Sequence, residues 1–453
     1  MSKETSTVNI RELAMQALIM VLEENKTSSE VLSGVLEKYQ YLPKQDRAFF
    51  TRLCEGTMER AIELDYVINQ FSRTKTKKMK PVIRTILRMG TYQILYMNQV
   101  PDSATCNESV KLAKKKGFHT LTGFVNGILR NIGRNKKNLV YPDKEKDFLS
   151  YLNIVYSMPM WILEKWSKIY TNEQLETMAE YFAKESKTTI RVNTQKIEKK
   201  TYVQLLEEAN IYVKDGIYYE NALVISGYNT IQGLPGYKEG YFTVQDESSM
   251  LAVLCGGIKP GMQILDVCAA PGGKTMFAAA LLNGSGKIIA CDVSEHKVER
   301  IQENVSRLGL TNVEANVWDA VEFEPEWKEQ MDIVIADVPC SGLGVIGKKS
   351  DIKYNCSQEG IHNLRDIQRK ILANVSQYVK PGGVLLFSTC TVVEEENKEN
   401  AEWFSKNFDF QYESLEPYLP EQLKESTAKD GYLQLLPGIH QTDGFFMARF
   451  RKR

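Results

Sequence analysis

Residues 263–282 read QILDVCAAPGGKTMFAAALL. The opening letters form a short apolar run typical of a buried strand, and TMFAAALL has the composition of a buried helix. Between them, a Pro-Gly-Gly turn lets the backbone approach a ligand closely, because glycine has no Cβ and tolerates positive φ. This stretch predicts a strand that ends in a ligand-binding loop and continues into a helix.

The same alternation of strand and helix patterns continues through the following hundred or so residues. Further strand-like runs are KIIACDV, VEANVWDA, DIVIADVPC and GGVLLFSTC, with helical patterns such as HKVERIQENVSRLG between them. Regular alternation of this kind predicts an α/β fold with a doubly wound, mostly parallel sheet covered by helices on both faces. Ligands of such sheets lie beyond the carboxyl ends of the strands.

Two other regions precede this domain. Residues 1–140 are helical in pattern: in IRELAMQALIMVLEE, apolar residues recur every three or four positions from Ile10 to Leu22. Residues 141–240 combine linker helices with a small α/β module that contains TTIRVNT, TYVQLLEEA and NALVISG. We therefore expect three domains, at 1–140, 141–240 and 241–453.

Composition excludes several classes of protein. The eight cysteines form no CxxC pair and the chain has only four histidines, so zinc-ligand and redox-motif spacings are absent and free thiols are expected. No apolar run is long enough for a membrane span, and the polar start does not resemble a signal peptide. We expect a cytoplasmic protein.

Charge is balanced overall but unevenly distributed. Residues 1–140 contain 23 Lys and Arg against 13 Asp and Glu, so the rest of the chain is acidic. The basic residues cluster in RTKTKKMK (73–80), KLAKKKG (111–117) and RNIGRNKK (130–137). Such stripes suit a phosphate backbone and suggest a nucleic-acid-binding region attached to an enzyme. A merely solvated basic surface is the alternative.

The loop at 266–275 is not one of the common phosphate-binding motifs. A Walker A loop requires a glycine where Cys268 stands, and GxGxxG is absent. Instead, Asp292, Asp319 and Asp337 each follow a predicted strand, where an acid can bind ribose hydroxyls. Acids without a phosphate loop suit a positively charged nucleoside, and S-adenosylmethionine has both a ribose and a sulfonium. Each acid could alternatively cap the next helix.

Two cysteines are also expected at neighbouring strand ends, Cys340 in DVPCSGLG and Cys390 in FSTC. Carbon 5 of cytosine attacks a methyl sulfonium only after a thiolate has added to carbon 6. Asp337 could favour that addition by hydrogen bonding to the base, and Lys274 or the sulfonium could lower the pKa of the thiol. Spacing alone leaves open which cysteine attacks, and most of the eight could simply be small buried hydrophobes.

With DVCAAPGGKT, DVPCSGLG and STCTVVEEEN in this order, the sequence resembles the RNA 5-cytosine methyltransferases of the NOL1/NOP2/Sun family. Its helical front narrows the resemblance to the RsmB (Sun) type, which has a NusB-like RNA-binding domain. The resemblance implies a Rossmann-like class I methyltransferase domain with a C-terminal antiparallel hairpin and an RRM-like middle module. It also implies that Cys390 is the nucleophile and that Cys340 assists release of the product. The residues implied to bind S-adenosylmethionine are Cys268, Ala269, Ala270, Pro271, Gly272, Gly273, Lys274, Asp292, Asp319 and Asp337.

The implied activity is formation of 5-methylcytosine in 16S rRNA, either free or in a partly assembled small subunit. We expect a monomer that binds no metal ion and no membrane. The loop after PCSG departs from the family pattern, with Lys348, Lys349 and Ser350 where arginines and a Pro-Asp pair are usual. A non-catalytic assembly factor with a vestigial cofactor site is one rival interpretation, and a methyltransferase acting on DNA or protein is another.

Overall fold

The computed structural model describes residues 8–184, 187–424 and 426–453. The chain divides into two compact units. Among the described residues, the first unit, the helical unit, contains 8–184 and 346–355, and the second, the catalytic unit, contains the remainder.

The helical unit is a bundle, as the apolar periodicity predicted. The face predicted for the first helix is buried at Ala14, Ala17, Leu18 and Val21, and it packs against the fifth helix, which is apolar on most sides. The helices are α1 (Ile10–Leu22), α2 (Ser28–Lys38), α3 (Lys44–Glu59), α4 (Ala61–Phe71), α5 (Pro81–Tyr96), α6 (Asp102–Lys115), α7 (Thr122–Asn135), α8 (Phe148–Val155), α9 (Met160–Trp166) and α10 (Asn172–Ala183).

Helices α8 to α10 belong to this bundle, although the change of sequence pattern suggested a boundary at residue 140. Ser157, just after α8, holds the start of α4 by accepting a hydrogen bond from the Ile62 amide at 2.9 Å. The predicted domain divisions therefore mark changes of pattern, whereas the compact unit is defined by packing.

The short segment 346–355, which ends in α15 (Ile352–Asn355), is also part of the helical unit. Asp351 accepts a hydrogen bond from the Ser28 amide at 3.0 Å and another from its hydroxyl at 2.5 Å. The Lys353 ammonium donates to the Glu59 carbonyl at 2.8 Å, and burial lowers the pKa of Lys353 to about 7. The loop that departs from the family pattern therefore contributes two buried polar anchors to the bundle.

The catalytic unit begins with the small module, a four-stranded antiparallel sheet in the order β2-β3-β1-β4. Sequence reasoning missed β2, a short exposed strand without clear alternation. The elements of the small module are β1 (Thr188–Val192), α11 (Lys199–Glu208), β2 (Tyr212–Asp215), β3 (Ala222–Ser226) and β4 (Phe242–Val244).

An eight-stranded sheet with helices follows. Its strands are β5 (Gln263–Asp266), β6 (Lys287–Asp292), β7 (Val313–Val317), β8 (Met331–Asp337), β9 (Val379–Thr389), β10 (Phe410–Tyr412), β11 (Tyr432–Leu435) and β12 (Phe445–Lys452). Its helices are α12 (Glu247–Cys255), α13 (Gly273–Leu282), α14 (Glu295–Leu308), α16 (Gln358–Val375) and α17 (Lys398–Asn407).

The strand order is β10-β12-β9-β8-β5-β6-β7, with β11 paired to β12. Strands β5 to β9 pair with one another in parallel, and β12 pairs antiparallel with β9, β10 and β11. The predicted doubly wound sheet and its C-terminal antiparallel hairpin are confirmed. The chain order reverses between β5 and β8, which is where a ligand crevice forms in such a sheet. Among the described residues, no helix is both long and apolar enough to cross a membrane.

Arg449 ties the C-terminal strand to α12. Its side chain is 2% exposed and donates to the Glu413 carboxylate at 2.6 Å and to the carbonyls of Cys255 and Gly256 at 2.6 and 2.7 Å. Arg449→Met should lower the free energy of unfolding of the catalytic unit by about 3 kcal/mol, because it leaves these acceptors unpaired. Urea denaturation followed by tryptophan fluorescence measures this.

The half-exposed Arg451, which binds the same Glu413, provides the matched control. Its replacement by Met should cost only about 1 kcal/mol, since water reaches the ion pair. Equal losses for the two variants would contradict the importance of the buried carbonyl contacts.

Candidate active site

The parallel pairing of β8 with β9 brings two cysteine loops together. Asp337 at the end of β8 lies opposite Ser388 near the end of β9. Three and two residues further along the chain, the Sγ atoms of Cys340 and Cys390 are 3.3 Å apart. The structure thus places the two thiols side by side, as expected for adjacent strand ends.

Gly344 allows the backbones around these thiols to pack closely. Its amide donates to the Cys390 carbonyl at 3.1 Å, and its carbonyl accepts from the Gly444 amide at 2.9 Å. A Cβ at this position would lie 2.0 Å from the Gly444 oxygen and 2.8 Å from the Cys390 oxygen. Only glycine fits here, and this close approach fixes the Cys340 loop against the backbone of Cys390.

A buried ion pair lies at the same strand ends. The Lys274 ammonium is 2.6 Å from one oxygen of Asp337, whose other oxygen accepts from the Ser388 hydroxyl at 2.7 Å. Burial alone would lower the pKa of Lys274, but Asp337, Asp266 and Cys390 raise it above its usual value. A persistent positive charge therefore lies within electrostatic reach of the Cys390 thiol.

The thiols of Cys340 and Cys268 both have raised pKa values. The hydrogen bond with Cys390 and then burial raise the pKa of Cys340 well above that of a free thiol. Burial and nearby acids do the same for Cys268, which lies in the glycine-rich loop. The raised pKa values favour the neutral thiol form of Cys340 and Cys268.

A pocket opens beside the ion pair. Six residues of the predicted cofactor loop line it, together with Asp337; these six are Cys268, Ala269, Ala270, Pro271, Gly273 and Lys274. Sequence reasoning did not single out the other lining residues, which are Val244, Gln245, Asp246, Ser249 and Asp266. Most of these come from the end of β4 and the start of α12, where the sequence offered only a turn pattern.

The remaining predicted cofactor residues, Gly272, Asp292 and Asp319, do not line the pocket. Gly272 adopts the left-handed conformation, with φ of 102°, immediately before α13. Asp292 accepts from the Ala270 amide at 3.3 Å and pairs with Lys297 at 3.2 Å. Asp319 lies two residues beyond β7 and accepts from the Val321 amide at 3.1 Å. That Asp292 and Asp319 bind the cofactor stays a prediction.

Asp266 is the most perturbed acid of the pocket. It is 1% exposed, and its Oδ2 accepts from the Thr275 hydroxyl at 2.6 Å. Its Oδ1 is buried without a hydrogen-bond partner among the described residues. Burial raises the pKa of Asp266 to about 7, and Asp337 and Asp292 add to this effect. An acidic last residue on the first parallel strand was the available sequence signal.

Comparison with known proteins gives one consistent result. The family model described as "16S rRNA methyltransferase RsmB/F" matches residues 257–451, the NusB family matches 8–134, and the ferredoxin-like domain of RsmF/B-like methyltransferases matches 158–232. The chain is 36% identical to a probable ribosomal RNA small subunit methyltransferase B of Bacillus subtilis, and each chain is covered completely. The chain belongs to the ribosomal RNA small subunit methyltransferase B family.

A further relative agrees with this assignment, and a solved structure has a similar fold. An Escherichia coli ribosomal RNA small subunit methyltransferase B is 30% identical over 98% of this chain and 99% of its own. The crystal structure of PH0851 superposes with a TM-score of 0.80 at 25% identity, over 98% of this chain and 99% of that one. The family resemblance inferred from the motifs is confirmed, as is the NusB-like front. The middle region, predicted as an RRM-like α/β module, matches a ferredoxin-like domain.

As a methyltransferase of this family, the protein uses S-adenosylmethionine, and the pocket residues fit that cofactor. The unpartnered buried oxygen of Asp266 is an acceptor for a positively charged group, and the methionine part of the cofactor carries an ammonium. The glycine-rich turn lines the same pocket, and a glycine, which has no Cβ, lets a ligand approach its backbone closely. The described residues contain no cluster of three or more His, Cys, Asp or Glu that could hold a metal ion.

Asp266 should make stability depend on pH in the absence of cofactor. Its folded pKa is raised, so the protonated form stabilises the fold at pH 4 and this contribution is lost as pH rises through about 7. Between pH 5 and pH 8 the wild type should lose about 3 kcal/mol more than Asp266→Asn, which cannot ionise. Urea denaturation at both pH values measures the difference. Parallel pH profiles for the two proteins would refute the effect.

Proposed function

We propose that the protein transfers a methyl group from S-adenosylmethionine to carbon 5 of a specific cytosine in 16S rRNA through a covalent adduct of Cys390 with carbon 6. The observation that carries this proposal is the 3.3 Å approach of the Cys340 and Cys390 thiols beside the Lys274–Asp337 pair. Two thiols in one crevice at the strand ends suit a reaction in which one thiolate adds to the base and the second thiol assists its later release from the base. We further propose that the protein acts as a cytoplasmic monomer.

Cys390 is the better candidate for the attacking thiol. The two sulfurs are 3.3 Å apart, close enough for a Cys340 thiol to donate a hydrogen bond to a thiolate on Cys390, and the raised pKa of Cys340 favours this direction. The positive charge of Lys274 acts in the same direction. The thiolate adds to carbon 6 and makes carbon 5 nucleophilic. The bound cofactor supplies the methyl group.

Asp337 and Cys340 serve the other steps. Ser388 and Lys274 hold the two carboxylate oxygens of Asp337, which orients it to bind the base edge while the adduct forms. After methylation, the proton on carbon 5 must leave so that the carbon–sulfur bond can break. A water molecule takes that proton, and the electron pair of the carbon–sulfur bond returns to Cys390 as a thiolate. The neutral Cys340 thiol, 3.3 Å from Cys390, assists by donating a hydrogen bond to this leaving sulfur. The base must be unstacked to reach the crevice.

The helical unit offers an RNA-binding surface. In the segment 73–80, all five basic side chains are exposed, namely Arg73, Lys75, Lys77, Lys78 and Lys80. None of the five forms an ion pair with an acidic side chain in the described parts of the chain. Unneutralised cations of this kind bind phosphates with little sequence preference.

The two cysteines should give opposite results on substitution. With unmodified 16S rRNA and methyl-labelled cofactor, Cys390→Ala should lose more than about a thousandfold in methylation and form no adduct, because the nucleophile is gone. Cys340→Ala should accumulate protein covalently linked to RNA, because elimination is slowed. Denaturing gel electrophoresis detects the adduct.

Cys356→Ala removes a partly exposed free thiol that belongs to neither cysteine motif, so it is the matched control and should resemble the wild type. Adducts formed by Cys390→Ala would reverse the assignment of the two thiols. Absence of any methylation by the wild type would favour the assembly-factor interpretation.

The basic segment should contribute to RNA affinity through phosphate contacts. Lys77→Gln combined with Lys78→Gln should weaken binding of an rRNA fragment and lower the slope of log K against log salt by about 1.4, or 0.7 per lost contact. The control Lys398→Gln with Lys406→Gln changes the same charge on α17 of the catalytic unit. Fluorescence anisotropy at several salt concentrations measures both. If the two double variants gave the same slope of log K against log salt, the segment 73–80 would not be part of the RNA interface.

A further inference from the structure

A buried carboxylate connects the two cysteine loops. Glu396 lies six residues after Cys390 and is fully buried. One of its oxygens accepts from the Ser341 amide at 2.8 Å, and the other accepts from the Ser341 hydroxyl at 2.5 Å. Ser341 immediately follows Cys340, so the Glu396 carboxylate binds the backbone of the Cys340 loop directly.

The same contact continues to the other loop. The Ser341 hydroxyl donates its proton to Glu396, so the Thr391 hydroxyl, 2.8 Å away, donates to Ser341. Thr391 is completely buried and immediately follows Cys390. The residues next to the two cysteines are therefore joined to each other and to Glu396.

Two helices hold the carboxylate in place. The Gln368 amide group on α16 donates to Glu396 at 3.0 Å and to the Pro339 carbonyl at 2.9 Å, so it contacts the residue before Cys340. Asn400 on α17 in turn donates to the Gln368 oxygen at 2.7 Å. All the groups facing Glu396 are hydrogen-bond donors, as an ionised carboxylate requires.

No basic side chain pairs with Glu396 in the described ranges, which is an unusual arrangement for a fully buried acid. Burial raises its pKa, while the hydrogen bonds from Ser341 and Gln368 lower it. A charge buried without a counterion is costly, and an apolar residue would usually stabilise a core better. The arrangement therefore suggests a positional role for the carboxylate.

We propose that Glu396 is a positioning residue that sets the geometry of Cys340 relative to Cys390 and thereby controls release of the methylated base. Glu396 touches neither thiol and acts through Ser341 and Thr391. The proposal rests on the covalent mechanism proposed above. It predicts that disturbing Glu396 slows the step that needs both cysteines more than the step that needs Cys390 alone.

Glu396→Gln tests this directly. A glutamine NH₂ group in place of Oε1 would face the N–H donors of Ser341 and Gln368. In place of Oε2 it would donate to the Ser341 hydroxyl and reverse the hydrogen bond between Ser341 and Thr391. Either orientation disturbs the hydrogen bonds that join the two loops, so the Cys340 loop shifts. We expect the steady-state level of covalent RNA–protein adduct to rise roughly tenfold and multiple-turnover methylation to fall by a similar factor. Methyl transfer in the first turnover and the KM for RNA should change less than about threefold.

Glu394→Gln, a neighbour in the same 3₁₀ turn that is only half-buried, is the matched control and should behave like the wild type. Ser341→Ala and Thr391→Val remove the two hydroxyls while keeping the carboxylate, and each should give a smaller rise in adduct. These two variants test the proposal even if Glu396→Gln does not fold. Thermal unfolding midpoints, measured for all variants, separate a loss of stability from a change in adduct level.

The outcomes are distinguishable. If Cys340→Ala accumulates adduct but Glu396→Gln, Ser341→Ala and Thr391→Val all show wild-type adduct levels, the positioning role is wrong and the covalent mechanism stands. A uniform loss of first and later turnovers that follows the unfolding midpoint would assign Glu396 a structural role only. If neither wild type nor Cys340→Ala forms adduct, the proposed function itself fails.

Discussion

The parallel pairing of β8 with β9 is the constraint on which the site depends. The register places Asp337 opposite Ser388, so the β8 and β9 strands end at the same level of the sheet. The loops that follow carry Cys340 and Cys390, which are 50 residues apart in sequence and 3.3 Å apart in space. A register shift of one residue would turn the side chains of β9 to the other face of the sheet and separate the two loops. The closeness of Gly344 to Gly444 and Cys390 adds a steric limit to the same geometry.

Buried charge is the second organising feature of the catalytic unit. Lys274 and Asp337 form an ion pair, while Asp266 and Glu396 are buried carboxylates without a basic partner in the described chain. The surrounding donors satisfy Glu396, whereas one oxygen of Asp266 lacks a partner. This contrast indicates two uses of burial. A satisfied carboxylate organises loops, and an unsatisfied one is available for a charged ligand.

The path of the chain links the Cys340 loop to the helical unit. Only a few residues after Gly344, the chain enters the segment 346–355, whose Asp351 and Lys353 are anchored within the bundle. The sequence of this segment departs from the family pattern at Lys348, Lys349 and Ser350. Lys348 and Lys349 are exposed, and the buried anchors are the residues that follow them. The changed residues therefore do not affect the anchors, because Asp351 still binds Ser28 and Lys353 still binds the Glu59 carbonyl.

The sequence by itself determined the helical front, the doubly wound sheet, the glycine-rich loop and the two cysteine motifs. These features follow from local periodicity, turn residues and short-range spacing, which require no knowledge of distant contacts. Tertiary structure decided the rest. The pocket wall formed by Gln245 and Ser249, the orphaned oxygen of Asp266 and the position of Glu396 between the loops all depend on residues far apart in the chain. Burial and hydrogen-bond partners are properties of packing, and packing is not encoded in any single stretch of sequence.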